Sequence, residues 1–332
     1  LSSPTQIPGT NWKSMSGGWS SQIGTKNDGT LWAWGRNNAG QLGQNNKTNY
    51  SSPVQIGSDT TWSTSIDDIA NTSAAGGAAS SAVIKTDGSL WTWGENDKGQ
   101  LGQNSVVARS SPIQIPGTTW KNVSANGYAF YATKTNGTLW TWGSASYGAL
   151  GHNQGGTTRV SSPTQIPGTT WDLVYANDEH TAMAIRTDGT AWTWGSNERG
   201  HLGLNTNGDD RSSPAQVPGT TWSKGQYGSS RMARGATKTD GTLWMWGQNT
   251  SGQLGVNDEV RYSSPIQVPG TTWSSVSLSY QRSLAVKTDG TLWTWGANDE
   301  GQLGLNNTTQ YSSPVQIPGT DWSLVNGLTL SS

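Results

Sequence analysis

Lys287-Thr288-Asp289-Gly290-Thr291-Leu292-Trp293-Thr294-Trp295-Gly296 is the stretch that decides the fold. Trp293 and Trp295 stand two apart, so in an extended chain both side chains point to one sheet face, whereas a helix would splay them. Ahead of them, Asp289-Gly290 carries the chemistry of a hairpin reversal, because such a turn needs a positive φ that Gly takes freely and Asp tolerates. Equivalent turns stand at Asp28-Gly29, Asp87-Gly88, Asn136-Gly137, Asp188-Gly189 and Asp240-Gly241, and the Trp pair returns at Trp32/Trp34, Trp91/Trp93, Trp140/Trp142, Trp192/Trp194 and Trp244/Trp246.

Outward from this stretch the pattern extends on both sides. A phrase S-S-P-x-Q-I/V-P-G-T-x-W leads into each unit, and G-Q-L-G-x-N follows the Trp pair. The opening Trp falls at Trp12, Trp62, Trp120, Trp171, Trp222, Trp273 and Trp322, a period of about fifty-two residues. That period with strand-like segments is the mark of a β-propeller blade. In the unit from Trp273 four strands are expected: A at Trp273–Ser277, B at Ser283–Lys287, C at Thr291–Trp295 and D at Pro314–Ile317. Proline has no N–H to donate, which suits D as an edge strand.

The fold class is therefore all-β, a propeller of four-stranded antiparallel blades forming one domain over residues 1–332. Six full repeats are flanked by a D-type strand at Ser2–Ile7 and an A-type strand at Trp322–Val325, with a further strand closing at Thr329. These termini are expected to share an abbreviated seventh blade; the alternative is a six-bladed ring. Leu1-Ser2-Ser3-Pro4 lacks both a starting Met and a signal-peptide pattern, consistent with a piece of a longer protein.

Val276-Ser277-Leu278-Ser279 followed by Ser283-Leu284-Ala285-Val286-Lys287, Asp289-Gly290, Trp295-Gly296, Asn298 and Gly301-Gln302-Leu303-Gly304 resembles the repeat of the regulator of chromosome condensation family. The resemblance covers all six complete repeats and implies a propeller, usually seven-bladed. It implies no single activity, because relatives include a nucleotide-exchange factor for a small GTPase and a secreted β-lactamase inhibitor. One departure is the position before the Ser-Leu-Ala strand, where the family commonly has His and this chain has Arg282, Ala129 and Ser21.

Composition narrows the partners. Charged residues make up 12% of the chain and the formal net charge is −1, so no field draws in a phosphate backbone, and nucleic acid is excluded as the main partner. No apolar run approaches a membrane span, so no membrane insertion is expected. Without cysteine there is neither a disulfide nor a thiolate metal site. Neither a metal nor any other cofactor is expected, since Asn-Asp-x-Gly at 96–99 and 298–301 lacks the later Glu of a calcium loop. Low charge with abundant Ser, Thr and Asn points to an extracellular, cell-surface or virion setting.

Nineteen of the 20 Trp sit at repeat-fixed positions and read as core; Trp19 is the exception. Function is then expected where repeats differ. In an antiparallel meander the A–B and C–D loops emerge at one end of each blade, and the B–C and D–A turns at the other. The second end carries T-D-G and P-G-T with little change. The first carries the variable residues: Trp19, the insertion from Ile66 to Ala79, Tyr128, Tyr147, Glu179, His180, Tyr227, Arg231, Tyr280 and Arg282. Tyr, Trp and Arg are the anchors recognition surfaces prefer. The leading expectation is a non-enzymatic module binding a protein or a surface glycan on a bacterial or viral surface. The alternative is a polysaccharide hydrolase or lyase, for which Asp178-Glu179-His180 is the one cluster of carboxylates and imidazole.

Overall fold

A computed structural model of the chain describes residues 6–17, 20–65, 67, 69–71, 79–153, 159–178, 180–229 and 233–322. Among these, twenty-four strands follow one another and group four by four into six antiparallel sheets. Two compact units divide them, one of residues 1–146 and 154–179, the other of 147–153 and 180–332.

The first unit holds β1 (Trp12–Gly17), β2 (Ser21–Lys26), β3 (Leu31–Gly35) and β4 (Tyr50–Gln55). Next come β5 (Ile69–Asn71), β6 (Ser80–Ile84), β7 (Leu90–Gly94) and β8 (Arg109–Ile115), then β9 (Trp120–Ala125), β10 (Ala129–Lys134), β11 (Leu139–Ser144), β12 (Arg159–Ile166) and finally β13 (Trp171–Asp178). The second unit holds β14 (Thr181–Arg186), β15 (Ala191–Gly195) and β16 (Arg211–Gln216). It continues with β17 (Trp222–Ser229), β18 (Ala233–Lys238), β19 (Leu243–Gly247), β20 (Tyr262–Gln267), β21 (Trp273–Leu278), β22 (Arg282–Lys287), β23 (Leu292–Gly296) and β24 (Tyr311–Ile317). The four strands expected from Trp273 onward are the last four, with D starting earlier than expected, at Tyr311. The closing strands read at Ser2–Ile7 and Trp322–Thr329 fall wholly or largely outside the described residues.

Alternation sets the core as the pattern requires. In β23, Leu292, Thr294 and Trp295 are buried while Trp293 is half-buried, and the same pattern recurs in β7, β15 and β19. Both Trp of the pair were expected in the core; the first instead lies beneath the lysine that closes strand B. Neighbouring blades pack through the opening Trp. Trp120 of β9 sits with Ile84, Leu90 and Ile115 of the preceding blade, and Trp273 of β21 with Leu243, Leu254 and Val268.

The B–C turn is a three-residue loop. Gly290 N–H donates to Lys287 O and Lys287 N–H to Thr291 O, both at 3.0 Å, with Gly290 at φ +79°. A Cβ on Gly290 would meet the Thr320 carbonyl at 2.0 Å, so backbone approach as well as φ demands glycine here.

Two expectations need correction. The Ile66–Ala79 stretch is not wholly loop: Trp62 bridges to Lys85, and Ile69–Asn71 then resumes the pairing, with Ile69 opposite Val83. Burial of Ile69 beside Trp62 and Trp93 accounts for this. Tyr227 was expected in a loop, yet its backbone lies within β17, opposite Ala236. A register irregularity lies between Trp222 and Tyr227, and the strand runs to eight residues, as β13 does, against six in β9 and β21.

Candidate interaction site

The two ends of each blade differ in how they use their polar groups. At the B–C end a relay repeats: Trp293 Nε1–H donates to Thr291 Oγ1 (2.9 Å), whose hydroxyl donates to Asp289 Oδ1 (2.7 Å), which also accepts the Thr291 N–H (3.0 Å). Asp28, Asp87, Asp188 and Asp240 make the same relay, and Asn136 stands in its place in the third blade. The Thr or Ser hydroxyl is the main reason these carboxyls titrate below the ordinary aspartate range. In each, Oδ1 is engaged by the relay of its own turn.

At the opposite end the C–D loop has a fixed frame and variable tips. Asn298 Oδ1 accepts the Leu303 N–H, and its Nδ2 donates to the carbonyls of Asn307 and Thr309, each at 2.9 Å. Asn37, Asn96, Asn197 and Asn249 clamp their loops likewise. The third blade has Ala145 at this position, and its loop forms a 3-10 turn at Ser146–Gly148 in which Tyr147 takes φ 56°. Tyr147 is thereby left 54% exposed. Its ring lies 4.5 Å from that of His180, at 40°, within the second unit. Tyr280, between β21 and β22, is 51% exposed.

In the first unit a mixed-charge cluster occupies the same end. Lys98 Nζ lies 2.7 Å from Asp97, and this pairing is the main reason the ammonium titrates above the ordinary lysine range, with Tyr128 adding a smaller part. Glu95 accepts the Ala79 N–H at 3.1 Å, and burial raises its carboxyl, helped by the charge of Asp97.

Of the residues read from the sequence, Tyr128, Tyr147, His180 and Tyr280 lie at this end, and Tyr147 meets His180. Arg282 is half-buried as the first residue of β22, so it belongs to a strand and not a loop. Trp19, Glu179 and Arg231 lie outside the described residues, as do the side chains of Asp178 and Tyr227. Sequence reading missed Glu95, Asp97, Lys98 and Arg199, which donates to Gln248. They sit in or beside W-G-x-N-x-x-G-Q-L-G, a turn that looks uniform. The signal was present: between Asn and Gly the pair changes from Asn38-Ala39 to Asp97-Lys98, Glu198-Arg199, Thr250-Ser251 and Asp299-Glu300. Among the described residues no group of three or more His, Asp or Glu could hold a metal ion.

The RCC1-like domain model matches residues 66–326, and the regulator of chromosome condensation (RCC1) repeat model matches residues 28–84. The chain belongs to the RCC1-like domain family. Among curated relatives, the ultraviolet-B receptor UVR8 of Arabidopsis thaliana is 27% identical over 251 residues, 72% of this chain and 53% of the relative. Human protein RCC2 is 27% identical over 57% of this chain and 27% of its own length. The chain thus spans about half the length of the plant relative and less of the human one. Human WBSCR16 superposes with a TM-score of 0.72 at 20% identity, covering 95% of this chain and 84% of that one. Prp20p of Saccharomyces cerevisiae superposes at 0.70 and 17% identity, covering 92% and 76%. These likenesses show the fold of an RCC1-type β-propeller.

The RCC1-like relatives overturn the expected extracellular or virion setting. One is a regulator of chromosome condensation, another a mitochondrial RCC1 domain protein, and Prp20p is described binding histones. The structure gives the physical reason why composition misled. Thr and Asn are abundant because the relays and loop clamps use them in most repeats, which carries no information on compartment. A surface glycan as partner finds no support among these relatives.

Proposed function

We propose that this RCC1-like chain is a protein-binding module, not a catalyst, and that its partner docks on the A–B and C–D loop end of the blades. The observation that carries this reading is the contrast between the ends. The B–C turns repeat one relay of Trp, Thr or Ser, and Asp, with Asn136 in place of Asp in the third blade. The opposite loops present unlike groups: Tyr147 against His180, the exposed Tyr280, and Asp97-Lys98 beside Tyr128. Aromatic side chains offer large contact area at low entropic cost, and charged neighbours fix orientation. That Prp20p binds Gsp1p and histones supports protein as the partner class.

Photo-crosslinking tests this. A benzophenone side chain placed at Tyr147 or Tyr280 in the full-length protein should capture a protein partner, while the same group at Asp188 or Asp240 should not. Capture from the turn positions alone would overturn the assignment of the end.

A further inference from the structure

At the B–C end, one lysine cradle lacks an aspartate in its own turn. At the ends of β9, β10 and β11, Lys134 Nζ sits 4.4 Å from the Trp120 ring and 4.5 Å from that of Trp140. The two indoles meet edge to face at 6.4 Å. Lys26, Lys85, Lys238 and Lys287 lie in equivalent cradles. Each of those four has an aspartate of its own turn near enough to be held down by the ammonium: Asp28, Asp87, Asp240 and Asp289. The turn beside Lys134 carries the neutral Asn136 instead. Among the described residues no carboxylate lies in contact with Lys134, and burial pulls its ammonium below the ordinary lysine range.

The neighbouring blade shows what such a cradle accepts. There Gly57-Ser58-Asp59-Thr60, one residue longer, replaces the P-G-T turn, and Asp59 Oδ2 lies 2.5 Å from Lys85 Nζ, which stands over Trp62 and Trp91. The chain's own carboxylate fills that cradle. In the third blade the turn is too short to do so, and a hollow of about 400 Å³ opens beside Lys134, walled by Trp120, Trp140, Ile115 and Pro116. Trp120 is 3% exposed, and its Nε1–H, like those of Trp12, Trp62, Trp222 and Trp273, is buried without a hydrogen-bond partner. A Cβ built on Gly117 would lie 3.8 Å from both Lys134 Nζ and Trp120 Nε1, so the two donors converge beneath one point of the turn.

We propose that the cradle of Lys134, Trp120 and Trp140 docks the carboxylate of an Asp or Glu side chain flanked by apolar residues on a partner polypeptide. The ammonium supplies a charge-assisted donor, and the walls of the hollow take the apolar neighbours. This site is separate from the loop end proposed above, and the two readings stand or fall independently.

The test titrates the peptide acetyl-Leu-Asp-Leu-amide into the full chain, followed by calorimetry and by the ¹⁵N-indole resonance of Trp120, assigned with Trp120→Phe. A saturable shift of that resonance at one site is expected. Acetyl-Leu-Asn-Leu-amide and Lys134→Met should each weaken binding by at least about tenfold. Asn136→Asp leaves the cradle intact but supplies a competing carboxylate, and should weaken it by about fivefold or more. Asp59→Asn leaves Asp87 beside the Lys85 cradle, so the stoichiometry should stay at one, and Tyr147→Ala should change nothing. Equal binding of the Asn peptide, full binding by Lys134→Met or Asn136→Asp, or displacement of the peptide by inorganic phosphate at equal affinity would overturn the proposal.

Discussion

The indole N–H of Trp142 donates to the backbone carbonyl of Gln100 at 2.8 Å, reaching from β11 into the G-Q-L-G turn of the preceding blade. Trp93 reaches Gln41, Trp194 reaches Ala149, Trp246 reaches His201 and Trp295 reaches Gln253 in the same way. Because the acceptor is a main-chain oxygen, the side chain there is free to be Gln, Ala or His. The latch therefore survives sequence drift at one partner but not at the other.

Two substitutions separate the parts of this latch. Trp142→Ala removes a fully buried ring and should cost about 3–5 kcal/mol in urea denaturation. Trp142→Phe keeps most of the apolar contact but leaves the Gln100 carbonyl unpaired, which should cost about 1–3 kcal/mol. A Phe variant as stable as the parent would show that the hydrogen bond contributes nothing.

Asn298 makes four hydrogen bonds from a position 1% exposed, so its replacement should be costly without touching the hydrophobic core. Asn298→Ala orphans one N–H and two carbonyls and should destabilise by about 2–4 kcal/mol. Asn298→Asp keeps the acceptor for Leu303 but sets a carboxylate against two carbonyls, and should be no better at neutral pH. Hydrogen exchange should show faster opening confined to residues 297–310. Protection lost equally across β21 to β24 would mean the clamp holds the blade instead of its loop.

How far the sequence discloses this structure follows from which interactions are local. Trp293 and Trp295 two apart, with Asp289-Gly290 before them, specify a hairpin and a buried face by geometry alone, and both are found. Tyr147 was legible as a loop residue, since it stands in a C–D segment that varies from repeat to repeat. Its contact with His180 was not legible, because the two lie 33 residues apart and meet only through tertiary packing. Lys98 was hidden for another reason: it stands inside a motif whose other positions are structural. The strand position of Tyr227 could not be read because an irregularity in pairing overrides the repeat's own spacing.

The residue before the opening Trp takes two forms. Asn11, Thr221 and Thr272 have φ of 64°, 65° and 68°. Asn tolerates this left-handed region, while a β-branched residue there is strained. Thr272→Asn should raise stability by about 1 kcal/mol, seen as a higher melting temperature. Thr119, at the equivalent position without a positive φ, serves as the control, and Thr119→Asn should bring no gain. Equal shifts in both variants would mean that backbone strain is not the cause.

His201 offers the sharpest pH signature. It is 3% exposed, neither ring nitrogen has a hydrogen-bond partner, and its pKa is lowered from 6.5 to about 3. Burial is the first cause, the charge of Arg234 adds to it, and the Ser196 backbone offsets only a part. The unfolded chain takes up a proton below pH 6.5 that the native state refuses until near pH 3. Stability from this group is therefore complete above pH 6.5 and is lost as pH falls through that window, by about 2 kcal/mol at pH 5. Asp59, held at about 2 chiefly by Lys85, acts only below the ordinary carboxylate range, and the raised Glu95 acts with the opposite sign. Gln occupies the His201 position in other blades, where its Oε1 accepts the N–H two residues back, as Gln253 does from Ser251 at 2.9 Å. His201→Gln should regain that bond and remove the ionisable group together. The difference in unfolding free energy between variant and parent, measured in urea from pH 7.5 to 4.5, should grow steadily as pH falls. A difference that stays constant across this range would show that His201 is not held neutral in the native state.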